Sequence, residues 1–166
     1  MSRLNPEEIL STVRALLKKS EYCFVITQGE RGDAHARLMQ PYEPDAEFTL
    51  YFGAGPKSRK VREIQKNNRV TVAMMNPQNS GYATLVGRAE ITNDAALKSK
   101  YWRAHWSDMF PGGPAADEYI LIKFIPEQIE LMDYTEQAQP QPYWSKPLGL
   151  KSIEGRWQVI EAANQL

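Results

Sequence analysis

The sequence predicts a small, mostly β protein: an antiparallel β-barrel with inserted helices. Three observations carry this. Seven short segments rich in β-branched and aromatic residues are separated by Gly, Pro, Asn and Asp turn signals. The helical segments do not alternate with the strands, which argues against a doubly wound sheet. Neither a G-x-G-x-x-G nor a Walker lysine motif is present.

In chain order, Asn5-Pro6-Glu7-Glu8 reads as a helix start. Asn5 suits the cap, Pro6 the first turn and Glu8 a capping box. Ile9, Val13, Leu16 and Leu17 follow at helical spacing, so this helix runs to about Lys19. Tyr22 to Thr27 is a strand, Gly29 to Asp33 a turn, and Ala34 to Gln40 the returning strand of a hairpin. After a turn at Pro41 to Asp45, residues Glu47 to Phe52 form the third strand. Lys57 to Asn67 is helical, with Val61, Ile64 and Gln65 facing inward. Arg69 to Met75 and Tyr82 to Thr92 are strands around a turn at Asn76 to Gly81, and Gly87 marks a bulge or a close approach of backbone. Asn93-Asp94 caps a helix running to about Trp106, on which Trp102, Trp106 and Phe110 recur every fourth residue as an aromatic stripe. Tyr119 to Ile125 and Gln128 to Tyr134 read as two strands joined by a tight turn at Pro126-Glu127. Beyond Thr135 the chain is rich in Gln and Pro and reads as an extended linker, with one late strand at Gly155 to Glu161.

Composition bounds the function. The 166 residues suffice for one hydrophobic core. Twenty basic and twenty acidic residues balance, which argues against a protein held to nucleic acid by bulk charge. A lone cysteine, Cys23, cannot form an intrachain disulfide and suits a reducing compartment. No secretory pattern and no apolar run of about 20 residues occurs, so no membrane partner is expected and a cytoplasmic location is. No Cys, His and carboxylate cluster has metal-ligand spacing, so no metal is expected.

The most informative stretch is Tyr51-Phe-Gly-Ala-Gly-Pro-Lys-Ser-Arg-Lys-Val61. A strand stops at two glycines and a proline, and a hydroxyl with three cations opens a helix. Free backbone N–H groups, the positive end of the helix dipole, Ser58, Lys57, Arg59 and Lys60 converge there, an arrangement suited to phosphate. From the residues alone, a barrel binding single-stranded nucleic acid through aromatics and this basic helix is the reading from another class.

The order of Arg37-Leu-Met39, then Tyr51-Phe52, Ser58-Arg-Lys-Val61, Asn67-Asn-Arg-Val70 and Gly87 resembles the pyridoxamine 5′-phosphate oxidase-like family, general stress protein branch. The resemblance spans roughly residues 5 to 134. It implies an FMN-binding split barrel over 1–134; the polar, Pro/Gln-rich extension over 135–166 departs from the family pattern. It also implies a homodimer with FMN at the subunit interface. Carried over to this chain, Arg37, Ser58, Arg59 and Lys60 would hold the phosphate. Strand backbone near Leu38, Met39, Tyr51 and Phe52 would carry the ring, and Tyr82 and Trp106 would approach it from the partner. His35 shares a strand face with Arg37. Relatives of this fold use a deazaflavin or haem in place of FMN. Two functions follow from the resemblance: an FMN-dependent oxidoreductase of a small molecule, or a non-catalytic flavin-binding stress protein. True pyridoxamine phosphate oxidases carry a C-terminal Arg-x-His element. Here no histidine follows His105, and Arg156 is followed by Trp157 and Gln158, which argues against vitamin B6 oxidation.

Overall fold

A computed structural model describes residues 5–79, 81–133 and 147–161. Helix α1 (Pro6–Ser20) begins as its sequence dictates. The Asn5 side chain accepts from the Glu8 backbone N–H, and the Glu8 carboxylate accepts from the Asn5 N–H. Its apolar stripe, Ile9, Leu10, Val13, Leu16 and Leu17, is buried in the main core.

Strands β1 (Cys23–Gln28) and β2 (Ala34–Met39) form the expected hairpin. Strand β3 (Leu50–Ala54) starts three residues later than the residue pattern suggests. Asp45 is the cause: its side chain accepts from the N–H groups of Glu47 and Thr49, and the turn it closes holds Phe48 at φ 66°. Helix α2 (Arg59–Lys66) is followed by β4 (Arg69–Met75) and β5 (Tyr82–Thr92), both at the expected positions.

Three departures have local causes. The helix expected to reach Trp106 ends early: α3 is Ala95–Lys100, and a 3-10 turn covers Ala104–Asp108. The Tyr42 and Tyr119 hydroxyls both donate to the Tyr101 carbonyl, which stabilises a helix end at that residue. Pro126-Glu127 is not a turn. Strand β6 (Ile120–Met132) runs straight through it, and the β5–β6 register shifts between Val86 and Gly87. Glu127 is the extra residue of the resulting bulge, and Pro126 has no N–H to contribute to the ladder. Gly87 permits the approach: a Cβ there would lie 2.1 Å from the Ile125 carbonyl oxygen. Lastly, two late strands form where one was expected. Strands β7 (Leu148–Ile153) and β8 (Arg156–Glu161) are joined at Glu154-Gly155, both at positive φ. The expected linker up to Pro142 and the boundary at residues 134 and 135 lie outside the described residues.

The sheet order is β2-β1-β4-β5-β6-β7-β8, all antiparallel, with β3 paired to β6. Among the described residues β2 therefore ends the sheet, and β6 is the strand that pairs with β3. The chain leaving β2 turns back along β3, where Tyr42 N–H donates to Tyr51 O. The core divides in two. A large aliphatic cluster includes Val25, Leu50, Phe52, Val61, Ile64, Leu85 and Phe124. A smaller one of Tyr51, Tyr101, Trp106, Tyr119 and Leu121 lies on the other face of β3. No helix among the described residues is long and apolar enough to cross a membrane.

Candidate functional site

Period-two alternation on β2 places His35, Arg37 and Met39 on the inner face and Leu38 on the outer. Period-3.6 geometry on α2 places Lys60, Val61, Glu63 and Ile64 toward the barrel. Gln65, expected to face inward, is exposed, and Glu63 is buried in its stead. A carboxylate enters because partners meet it there. Its Oε2 accepts from Thr27 Oγ1 at 2.5 Å and from Arg37 Nη2 at 3.2 Å. Its Oε1 lies 2.6 Å from His35 Nδ1 and 3.6 Å from Arg59 Nε. Burial alone would raise the Glu63 pKa. The hydrogen bonds from Thr27 and His35, with the adjoining imidazole and guanidinium, outweigh it and hold the carboxyl below its usual value.

Arg37 is fixed from β1 as well. Its Nη1 donates to Thr27 Oγ1 at 2.6 Å and to Val25 O at 3.2 Å. Lys60 is part-buried near it. Burial, and next the charge of Arg37, hold the Lys60 ammonium below the ordinary lysine value. Ser58 occupies the N-cap position of α2 in extended conformation, yet its side chain makes no cap bond, and its Oγ is buried without a hydrogen-bond partner among the described residues. Three cations (Arg37, Arg59 and Lys60) against one carboxylate leave positive charge in excess, beside an unused hydroxyl and the first N–H groups of a helix. A phosphate monoester fits these groups: it would relieve the crowding of Lys60 and Arg37 and supply the acceptor that Ser58 lacks.

The other predicted residues fall into separate places. Tyr51 and Phe52 are both buried, on opposite faces of β3, Tyr51 in the aromatic cluster and Phe52 in the aliphatic one. Met39 packs against the main core from the inner face of β2. Leu38 pairs with Phe24 on the outer face, in the same cross-strand row as Ala73. Tyr82 is on that outer face too, opposite Met75, and its hydroxyl donates to Glu130 at 3.2 Å. Trp106 is 7% exposed and packed inside its own chain: a Cβ on Gly53 would come within 2.3 Å of its ring. Trp102, Trp106 and Phe110 do meet, edge to face, at centroid distances of 6.3–6.4 Å, without the continuous helix that their spacing suggests.

Sequence reasoning missed Glu63 and Thr27. The signal was present: Thr27 shares the inward alternation of Cys23 and Val25, and Glu63 lies one turn after Lys60. Charge on Glu63 masked it, because carboxylates on a cation-rich helix ordinarily face water.

Comparison with known proteins agrees with this architecture. Residues 8–141 match the family model described as pyridoxamine 5′-phosphate oxidase like. General stress protein 26 of Bacillus subtilis (strain 168) is 26% identical over 112 residues, covering 66% of this chain and 78% of that protein. The crystal structure of General Stress Protein 26 from Bacillus anthracis str. Sterne superposes with a TM-score of 0.65 at 23% identity, over 74% of this chain and 92% of that one. A pyridoxamine 5′-phosphate oxidase-related, FMN binding protein from Nostoc punctiforme PCC 73102 superposes with a TM-score of 0.66 at 16% identity, over 96% of this chain and 99% of that one. A split-barrel fold, a cationic cradle at the start of α2 and a family match over most of the chain converge: this protein belongs to the pyridoxamine 5′-phosphate oxidase-like family.

Proposed function

We propose that this protein binds FMN as a homodimer and acts as a flavin-dependent oxidoreductase on a small molecule other than vitamin B6 phosphate. The observation that carries the reading is the cradle: Arg37 bonded to Glu63, Lys60 part-buried on the inward side of α2, Arg59 at the rim, and Ser58 Oγ buried without a partner among the described residues. These residues hold the phosphate in this reading, and strand backbone near Leu38, Met39, Tyr51 and Phe52 carries the ring. When bound, FMN supplies the electron chemistry; the chain binds, orients and shields it. Trp106, packed on Gly53 inside its own chain, takes no direct part in this reading.

The dimer rests on the outer face of β1, β2 and β4. Tyr22, Phe24, Leu38 and Met75 cluster there at 47–62% exposure, an apolar patch that a second copy of the chain would cover. Tyr82 belongs to the same face and approaches the partner's site in this reading.

An absorbance spectrum of freshly purified protein tests the proposal. Bands near those of free FMN are expected, with bleaching by a nicotinamide donor under anaerobic conditions. Colourless protein that takes up no added FMN would overturn it. A second reading is flavin binding without turnover, in keeping with relatives named for stress rather than for a reaction. It predicts yellow protein that no donor bleaches.

A further inference from the structure

A buried carboxylate at an anion site is a contradiction that needs a reason. As a mere counter-charge, Glu63 would weaken the attraction for phosphate. Its bonding pattern indicates a different role. Arg37 has five N–H donors on a rigid planar fork. One Nη1–H goes to Val25 O, the other to Thr27 Oγ1, and one Nη2–H goes to Glu63 Oε2. What remains is the Nε–H and the second Nη2–H, an adjacent pair on one edge of the guanidinium, the edge suited to two-point capture of an oxyanion.

Thr27 locks this choice. Its hydroxyl accepts from Arg37 and donates to Glu63, so guanidinium, hydroxyl and carboxylate close a ring. His35 Nδ1, 2.6 Å from the other carboxylate oxygen, holds Glu63 from the far side. The elements involved come from β1, β2 and α2, which fixes the cradle across three parts of the chain.

We propose that Glu63 is a positioning residue of the phosphate cradle: with Thr27 and His35, it holds the Arg37 guanidinium so that its Nε–Nη2 edge is presented to the phosphate before the ligand arrives. This rests on the FMN reading above. Preorganisation of this kind strengthens binding by removing the ordering that Arg37 would otherwise undergo on contact.

FMN and riboflavin, which lacks the phosphate, are titrated by flavin fluorescence into wild type, Glu63→Gln, Glu63→Ala and Thr27→Val at one ionic strength. Wild type prefers FMN. Glu63→Ala is expected to weaken FMN about tenfold, the scale of one charge-assisted hydrogen bond, with riboflavin unchanged. Glu63→Gln keeps an acceptor oxygen and falls between. Thr27→Val, which keeps the shape and removes the hydroxyl, shifts FMN in the same direction by about threefold, a weaker neutral bond. If Glu63→Ala binds FMN as tightly as wild type or more tightly, Glu63 is only a counter-charge and the inference is wrong. An equal loss for FMN and riboflavin means general collapse of the site and overturns it as well. Wild type that binds neither, or both alike, defeats the FMN reading itself and this inference with it.

Discussion

The segment from β3 to α2 is finished in opposite ways on its two sides. On one side the aromatic cluster is closely packed, and its phenols have partners. Tyr51 stacks on Tyr101 with centroids 4.3 Å apart, the Tyr42 and Tyr119 hydroxyls both end on the Tyr101 carbonyl, and Trp106 fills the space above Gly53. On the other side, the cradle carries three cations, a lysine whose pKa burial lowers and a hydroxyl with no partner among the described residues. The contrast separates stability from function. Rings and phenols that already have partners hold the fold, and groups left wanting an anion are those a ligand would complete.

The largest effect that sharpens the contrast is expected at Trp106. Trp106→Ala should lose about 3–5 kcal/mol in denaturant unfolding, as large-to-small changes in a packed core do. FMN affinity of the folded variant should change by less than about threefold, well under 1 kcal/mol. A parallel collapse of FMN binding would join the two regions into one.

Next is the cradle itself. Lys60→Glu combined with Arg37→Ala should weaken FMN by about a hundredfold or more, equivalent to roughly 2.7 kcal/mol, while circular dichroism and oligomeric state remain those of wild type. Retained stoichiometric FMN would break the phosphate assignment.

A third test probes the core beneath both regions. Burial raises the Cys23 thiol from 9.0 to about 12. The folded protein therefore keeps its proton where the unfolded chain releases it. The stability this contributes is fully present below pH 9 and is lost as pH rises from 9 toward 12. Relative to Cys23→Ala, wild type should lose about 1.4 kcal/mol of unfolding free energy between pH 8 and pH 10. Parallel pH profiles of the two proteins would show a wetter strand β1 than the packing indicates.

The smallest effect is at Ser58. Ser58→Ala removes a buried hydroxyl that bonds nothing, so unfolding of the ligand-free protein should be unchanged or slightly later. FMN binding should weaken by about 1 kcal/mol, the worth of one hydrogen bond. Loss of stability without loss of FMN affinity would reverse the contrast.

Much of the fold was legible because its signals are local. The Asn5 capping box, the Tyr82–Thr92 strand with its close approach at Gly87, and the Asp94 cap, which accepts from Leu97 N–H, are each written within a few residues. The errors share one origin. Pro126 looks like a turn until Gly87, on another strand, lets the backbone pass. The helix from Asp94 looks continuous until phenols from Tyr42 and Tyr119 meet its end. Glu63 looks solvated until β1 and β2 bring it partners.

The sequence by itself determined where chain direction changes, which positions are apolar and where cations gather before α2, since turn chemistry, periodicity and capping act between near neighbours. Only the tertiary structure decided that Arg37 meets a carboxylate 26 residues away, that β2 ends the sheet while β3 pairs with β6, and that Tyr51 and Phe52 are both enclosed. Those facts depend on which strands close the barrel, and closure is a competition among all the strands at once that no single segment encodes.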